Sequence, residues 1–185
     1  MTLTLQQIIA EADILAPNGV GTADKVLMIN TINGDFFNVV KIPAAHRFAG
    51  DVAQTDYTLP AAVREKNIDL VQIGLLTYRN LQREAVAPTD ITFSFDDASH
   101  ILTLSPAPYQ SGLQGIVRYH RIATTTFTSD NLTATPDAPE EYHWSYVLGL
   151  AAKLAAAEDD AAKAANYEAE KVAAWNTAAQ NYQTG

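Results

Sequence analysis

The chain has 185 residues, with 12 Lys and Arg against 21 Asp and Glu, a formal charge of −9 and an isoelectric point near 4.7. That length predicts one domain, residues 1–185, able to bury a core without staples, and the lack of cysteine excludes disulfides, thiolate metal sites and cysteine nucleophiles. The acidic balance argues against a surface that grips nucleic-acid phosphates; no apolar run could cross a membrane, no basic-then-apolar leader opens the chain, and a soluble cytosolic protein is expected.

In chain order, Thr4 and Gln7 have capping-box spacing, and Leu5, Ile8, Ile9, Ala12 and Leu15 recur on one helical face. Pro17-Asn18-Gly19 ends that helix. A second helix is expected from Thr22 or Asp24, with Val26, Leu27, Ile29 and Ile32 at helical spacing. Gly34 weakens it, and Phe36, Phe37, Val39 and Val40 read as its last turns or as the approach to a strand. Pro43 closes this first block, residues 1–42.

The second block, residues 43–127, changes period. Tyr57-Thr58-Leu59-Pro60 reads as a strand stopped by proline, and Ile68, Leu70, Val71, Ile73 and Leu75 as a strand buried over most of its length. Ile91, Phe93 and Phe95 alternate with polar residues, Asp96-Asp97-Ala98-Ser99 supplies a turn, and Ile101 to Leu104 alternates again, which predicts a β-hairpin. Gly115 to Ile122 gives a further strand. The expectation is an antiparallel sheet of four or five short strands.

Residues 124–139 form a polar connector rich in Thr, Asp and Pro. Pro139 with Glu140 and Glu141 suits a helix start, because proline fits the first turn and acids the positive end of the dipole. Trp144, Leu148, Ala151 and Ala155 form one stripe, with Val147, Leu150 and Leu154 beside it. Glu158-Asp159-Asp160 should break this helix and cap the next, whose stripe reads Ala161, Ala165, Val172, Trp175, Ala179 and Tyr182, interrupted by Glu168. The αα-hairpin, residues 139–182, ends in a polar tail, Gln183-Thr184-Gly185. Of 31 alanines, 14 lie between positions 151 and 179. Alanine favours helix but buries little area, so this hairpin should pack closely, within the chain or on a neighbouring subunit. The fold class expected is α+β: a helical bundle of two N-terminal helices and a C-terminal hairpin, with a small antiparallel sheet inserted.

Catalytic patterns are weak. His46, His100, His120 and His143 show no i, i+4 zinc spacing. His143 beside Glu140 and Glu141 could be drawn as an acid–base or metal cluster, but a partly buried histidine at a helix start explains it. The pairs Asp96-Asp97, Glu140-Glu141 and Asp159-Asp160 sit where turns or caps need them, whereas glycoside hydrolysis needs carboxyls facing across a cleft. Gly19-Val20-Gly21 follows a helix rather than a strand and lacks the lysine of a phosphate loop. Arg64, Lys66, Arg79 and Arg83, diluted by Glu65, Asp69 and Glu84, read as a solvated or salt-bridged face. Trp144 and Trp175 read as core anchors between the last two helices, with subunit contact as the second reading. No catalytic, cofactor or metal residue is assigned.

The order of blocks carries more. A helix pair leads into Gln54-Thr55-Asp56-Tyr57-Thr58-Leu59-Pro60; a hairpin ends at Leu104-Ser105-Pro106-Ala107-Pro108; a strand follows at Ile116-Val117-Arg118-Tyr119-His120-Arg121. Then comes the long run from Glu140 through Trp144 and Leu148 to Ala155, followed by Asp159-Asp160 and the helix of Tyr167-Glu168. This arrangement resembles the head-to-tail adaptor (connector) proteins of tailed bacteriophages. The resemblance implies a non-enzymatic virion protein of the neck, made in the host cytoplasm. Twelve copies would form a ring beneath the portal protein, receive the next neck or tail protein, and extend the channel through which DNA passes without specific binding.

It further implies portal contact by the C-terminal helix and tail. The candidate interface residues are Trp144 and Trp175, as large aromatics that anchor subunit contacts, with Tyr182 and Gln183 at the C-terminal end. The β-insertion would face neighbouring subunits, the outside of the neck or the tail. Acidic character suits such a conduit, since carboxylates along a bore repel phosphates. The alternatives are a neck stopper or tail-terminator protein, a small hydrolase using Glu140, Glu141 or His143, and a monomeric helical ligand-binding module.

Overall fold

A computed structural model describes residues 2–85, 87 and 89–183. The polar tail read at Thr184 and Gly185 lies outside them. The fold is α+β: four helices, with a seven-stranded sheet between the second and third in chain order. Two compact units result, one from residues up to Ile42 together with those from Ile122 on, the other spanning Pro43–Arg121.

In the helical unit, α1 is Leu5–Leu15, α2 Thr22–Val39, α3 His143–Ala157 and α4 Ala161–Gln183. The capping box at the start of α1 is formed: the Gln7 N–H donates to the Thr4 hydroxyl oxygen, and the Thr4 N–H to Gln7 Oε1. Two further N–H groups of that first turn, on Leu5 and Gln6, donate to the carbonyls of Ala134 and Leu132 in the connector. α2 runs straight through Gly34 to Val39, because Ile32, Phe36 and Phe37 bury against the core and outweigh one glycine's cost of about 1 kcal/mol.

α3 is buried from Ser145 to Ala152 on every side, as a central helix must be. Gly149 lies where a Cβ would meet Ile32 of α2 and Lys171 of α4 at 3.2 and 3.1 Å. Glu158-Asp159-Asp160 ends α3 as expected: Asp159 takes φ +58, the left-handed conformation that Asp tolerates, and the Asp160 carboxylate accepts the Lys163 N–H.

α4 departs from its expected stripe. Lys171, Trp175 and Ala178 are its buried residues, with Ala164, Tyr167 and Tyr182 partly covered, whereas Ala161, Ala165 and Val172 face solvent. Alanine sits on both faces of this helix and gives no phase, so the aromatic rings set it.

In the sheet unit, the strands are β1 Pro43–Ala49, β2 Asp56–Thr58, β3 Ile68–Ile73, β4 Leu76–Asn80, β5 Thr92–Asp96, β6 Ile101–Ser105 and β7 Gln114–His120. Their order is β1-β7-β3-β4-β5-β6-β2. The expected β5–β6 hairpin is present, with Phe93 opposite Leu104 and Phe95 opposite Leu102. The sheet is not wholly antiparallel, however: β4 and β5 are parallel, Arg79 beside Thr92 and Asn80 beside Phe93. The loop of residues 81–91 makes this crossover. Gln82 anchors it by bonding both the N–H and the C=O of Phe95.

β1 and β4 were not expected as strands. β1 reads Pro-Ala-Ala-His-Arg-Phe-Ala and buries no residue fully, so it shows no apolar alternation. β4 begins after a turn at Gly74, φ +57, which leaves Leu75 90% exposed rather than buried as the extension of β3. Gly115 of β7 is required by packing, since a Cβ there would lie 2.5 Å from the Phe48 ring. Gly115→Val should therefore destabilise the protein by several kcal/mol or displace Phe48; denaturant unfolding with an unchanged midpoint would contradict this.

The connector has no helix or strand, yet it is held firmly. Asn30 of α2 donates to the Phe127 carbonyl at 3.0 Å and accepts the Phe127 N–H at 2.8 Å. Asn33, fully buried, donates to the Asp137 carboxylate at 2.9 Å and accepts the Tyr146 hydroxyl at 2.7 Å. Asp137 in turn accepts the N–H groups of Thr124 and Thr125 and the Thr125 hydroxyl. Asn33→Ala removes its hydrogen bonds to both Tyr146 and Asp137 in the core and should cost about 1–3 kcal/mol in urea unfolding; a change below about 0.5 kcal/mol would show the network to be dispensable.

Candidate functional site

The two tryptophans part company. Trp175 of α4 is a core anchor: 4% exposed, its Nε1–H donates to Ser145 Oγ at 2.9 Å, and the Ser145 hydroxyl donates to the Tyr142 carbonyl. Phe36 packs edge-on to its ring at 5.7 Å, and the Lys171 ammonium sits 4.6 Å from the ring centroid while pairing with Glu168 at 2.6 Å. Trp144 is not the core anchor expected. It is 48% exposed on the opening turn of α3, because the inward positions there are taken by His143 and Ser145. Tyr182 is half-buried against the helical core and Gln183 is exposed.

Trp144 borders a groove of about 340 Å³ formed with Leu3, Glu11, Glu140 and Glu141. Leu3 is buried, Glu11 comes from α1, and the two adjacent glutamates from the short helical turn Glu140–Tyr142 before α3. The Thr2 hydroxyl donates to the Glu140 carboxylate and, with the positive charge of the N-terminus, holds it below the usual glutamate range, so Glu140 is ionised at neutral pH. No lysine or arginine among the described residues pairs with Glu11, Glu140 or Glu141. Trp144 and the glutamate pair were visible in the sequence; Glu11 was not, since nothing at its own position in α1 signals a distant partner.

His143 has a structural role at the same helix start. Its Nδ1 accepts the Leu3 N–H at 3.0 Å and its Nε2–H donates to the Ala138 carbonyl at 2.9 Å, which fixes the neutral tautomer. Burial pushes its pKa below the ordinary histidine value. The ring thus ties residue 3 to the end of the connector, and it lacks the free nitrogen a general base would need.

The other carboxylate pairs do turn and cap chemistry. Asp96 accepts the Ser99 hydroxyl and Ala98 N–H, Asp97 accepts the Glu65 N–H, and Asp160 caps α4. The basic region is salt-bridged: Arg79 pairs with Glu84 and Asp90, Arg83 with Glu65, and Arg64 bonds the His100 ring. Among the described residues no group of three or more His, Asp or Glu is placed to hold a metal ion.

A second groove, also about 340 Å³ and nearly all apolar, lies between α3 and α4, lined by Ala152, Ala156, Ala164 and Ala165 with Lys153 and Glu168 at its rim. No described helix is long and apolar enough to cross a membrane.

The neutral His143 predicts a pH effect. The unfolded histidine protonates near pH 6.5, about its ordinary value, whereas the folded one resists protonation until lower pH. The stability it contributes is complete above that pH and is lost as pH falls towards the folded pKa. Wild-type melting temperature should therefore decline between pH 7 and 5 more steeply than that of His143→Gln, and equal slopes would refute the assignment.

A family model described as SU10 adaptor protein matches residues 3–184. No curated protein is similar to the chain.

Proposed function

Because the chain belongs to the SU10 adaptor protein family, and so is a phage adaptor (head-to-tail connector) protein with a structural, non-enzymatic role, we propose that it forms a ring between the capsid portal and the tail and extends the DNA channel there. The observation that carries this reading is the family match across residues 3–184, which spans both compact units rather than one shared piece. The ring is a dodecamer in the virion neck, assembled from chains made in the host cytoplasm.

Three features support the arrangement. A ring needs a heterologous contact, in which one patch of a copy meets a different patch of the next. The solvent face of α4, with Ala161, Ala165 and Val172, and the alanine-lined groove between α3 and α4 allow close backbone approach for such a contact. Trp144, Tyr182 and Gln183 offer exposed or half-exposed side chains for the portal, and Trp175 supports them from inside through its bond to Ser145, next to Trp144. Finally, copies each carrying −9 give the assembly a surplus of carboxylates, and those facing the bore would let DNA pass without adhering.

Negative-stain images of the chain mixed with its portal should show an added ring layer, and Gln183→Ala, at an exposed position, should weaken that docking without lowering the melting temperature. Absence of the layer, together with binding to the tail tube, would make the protein a stopper or terminator instead.

A further inference from the structure

At the edge of the core three side chains make a cation site: the Lys171 ammonium lies over the Trp175 ring, 4.6 Å from its centroid, and is held by the exposed Glu168 at 2.6 Å. The groove at the start of α3 repeats two of those three parts. It has an indole, Trp144, exposed by about half, and carboxylates on Glu11, Glu140 and Glu141; the positive charge of the N-terminus acts on Glu140, but no lysine or arginine of the described chain lines the groove. An aromatic face and carboxylates both attract a cation, and the buried Leu3 beside them suits the aliphatic stem that a lysine or arginine carries.

We propose that the groove of Leu3, Glu11, Glu140, Glu141 and Trp144 receives a lysine or arginine side chain of a different protein, seating its cation between the Trp144 ring and the carboxylates. A different protein fits better than a second copy. This chain has only 12 basic side chains to 21 acidic ones, and Lys25, Arg79, Arg83, Lys163 and Lys171 already sit in ion pairs within it. Within the adaptor reading, on which this identification rests, that protein is the portal, and the contact is salt-sensitive.

Two measurements on the full chain test the groove and the adaptor reading separately. The first follows the Trp144 indole signal by NMR, identified by its loss in Trp144→Phe, during titration with a capped tri-arginine peptide. A saturable shift is expected that a tri-glutamate peptide does not produce and that the triple variant Glu11→Gln, Glu140→Gln, Glu141→Gln abolishes. All three glutamates are exposed or half-exposed, and the amide introduced by Glu140→Gln keeps an oxygen that can accept the Thr2 hydroxyl, so circular dichroism should show an unchanged fold. No shift in the wild type, or an equal shift in the triple variant, overturns the proposal.

The second measures portal binding across a salt series. The triple variant and Trp144→Ala should each weaken it roughly tenfold, and the triple variant should flatten its salt dependence. Portal binding that none of these changes affects overturns the groove assignment while leaving the adaptor reading intact. Peptide binding without any portal binding leaves the cation site standing and removes the portal as its partner. Salt-sensitive self-association abolished by the same variants would give the groove to a second copy and overturn the proposal.

Discussion

Residues 122–139 have no helix or strand of their own, so their backbone polar groups must find partners elsewhere or stay in water. Two asparagines one turn apart on α2 resolve this. Asn30 bonds both backbone groups of Phe127, as a neighbouring strand would, and so carries the Phe127 ring into the helical core. Asn33 links Asp137 to Tyr146 of α3, which is fully buried. Burial alone would push the Asp137 carboxyl up, but the hydrogen bonds from Thr125, Asn33 and Thr124 outweigh it and hold the group below the ordinary aspartate value. The connector then gives its own groups to the helices: its Leu132 and Ala134 carbonyls accept the first N–H groups of α1, and its Ala138 carbonyl accepts from His143 at the start of α3. The positions of three helices thus depend on a segment that is irregular only in its dihedral angles.

How far this was legible in the sequence follows from which interactions are local. The capping box at Thr4, the break at Glu158-Asp159-Asp160 and the β5–β6 hairpin each depend on residues within a few positions of one another, and all are present. β1 was not legible because its stability comes from pairing with β7, some seventy residues away, while its own side chains alternate only between exposed and half-buried. The parallel β4–β5 pair was equally hidden, since strand direction is set by the 81–91 loop and its anchor Gln82. On α4, a surplus of alanine removed the amphipathic signal that normally fixes which face turns inward. The same alanines that make the helix certain make its orientation unreadable.

The candidate site shows a related division. The sequence pattern reads Trp144 as a core anchor, because it shares a helical stripe with Leu148, Ala151 and Ala155. Helix α3 is buried nearly all round from Ser145 on, so that stripe does not separate inside from outside along its length. What exposes Trp144 is its place on the first turn, where neighbours cover the next residues but not the ring. Its partners in the groove come from α1 and from residue 3, whose N–H the His143 ring accepts. The buried histidine and the exposed tryptophan are therefore neighbours in one local structure: the first ties residue 3 to the start of α3, and the second borders the groove that Leu3 also lines.

Net charge acquires meaning at this scale. A total of −9 spread evenly would say little beyond solubility, but many carboxylates in this chain are occupied. Asp13 holds Lys25, Glu65 holds Arg83, Glu84 and Asp90 share Arg79, Glu168 holds Lys171, and Asp96 and Asp137 serve turn and connector. Those of Glu11, Glu140 and Glu141 have no basic side chain to answer them, and they gather beside an exposed indole. A cation receptor left half-built on a protein's surface costs the isolated chain little, since its carboxylates stay solvated and only about half of one tryptophan lies in water. An adaptor can carry that cost until its partner arrives, because the features that leave the groove idle in the isolated chain make it selective towards a basic side chain presented by another.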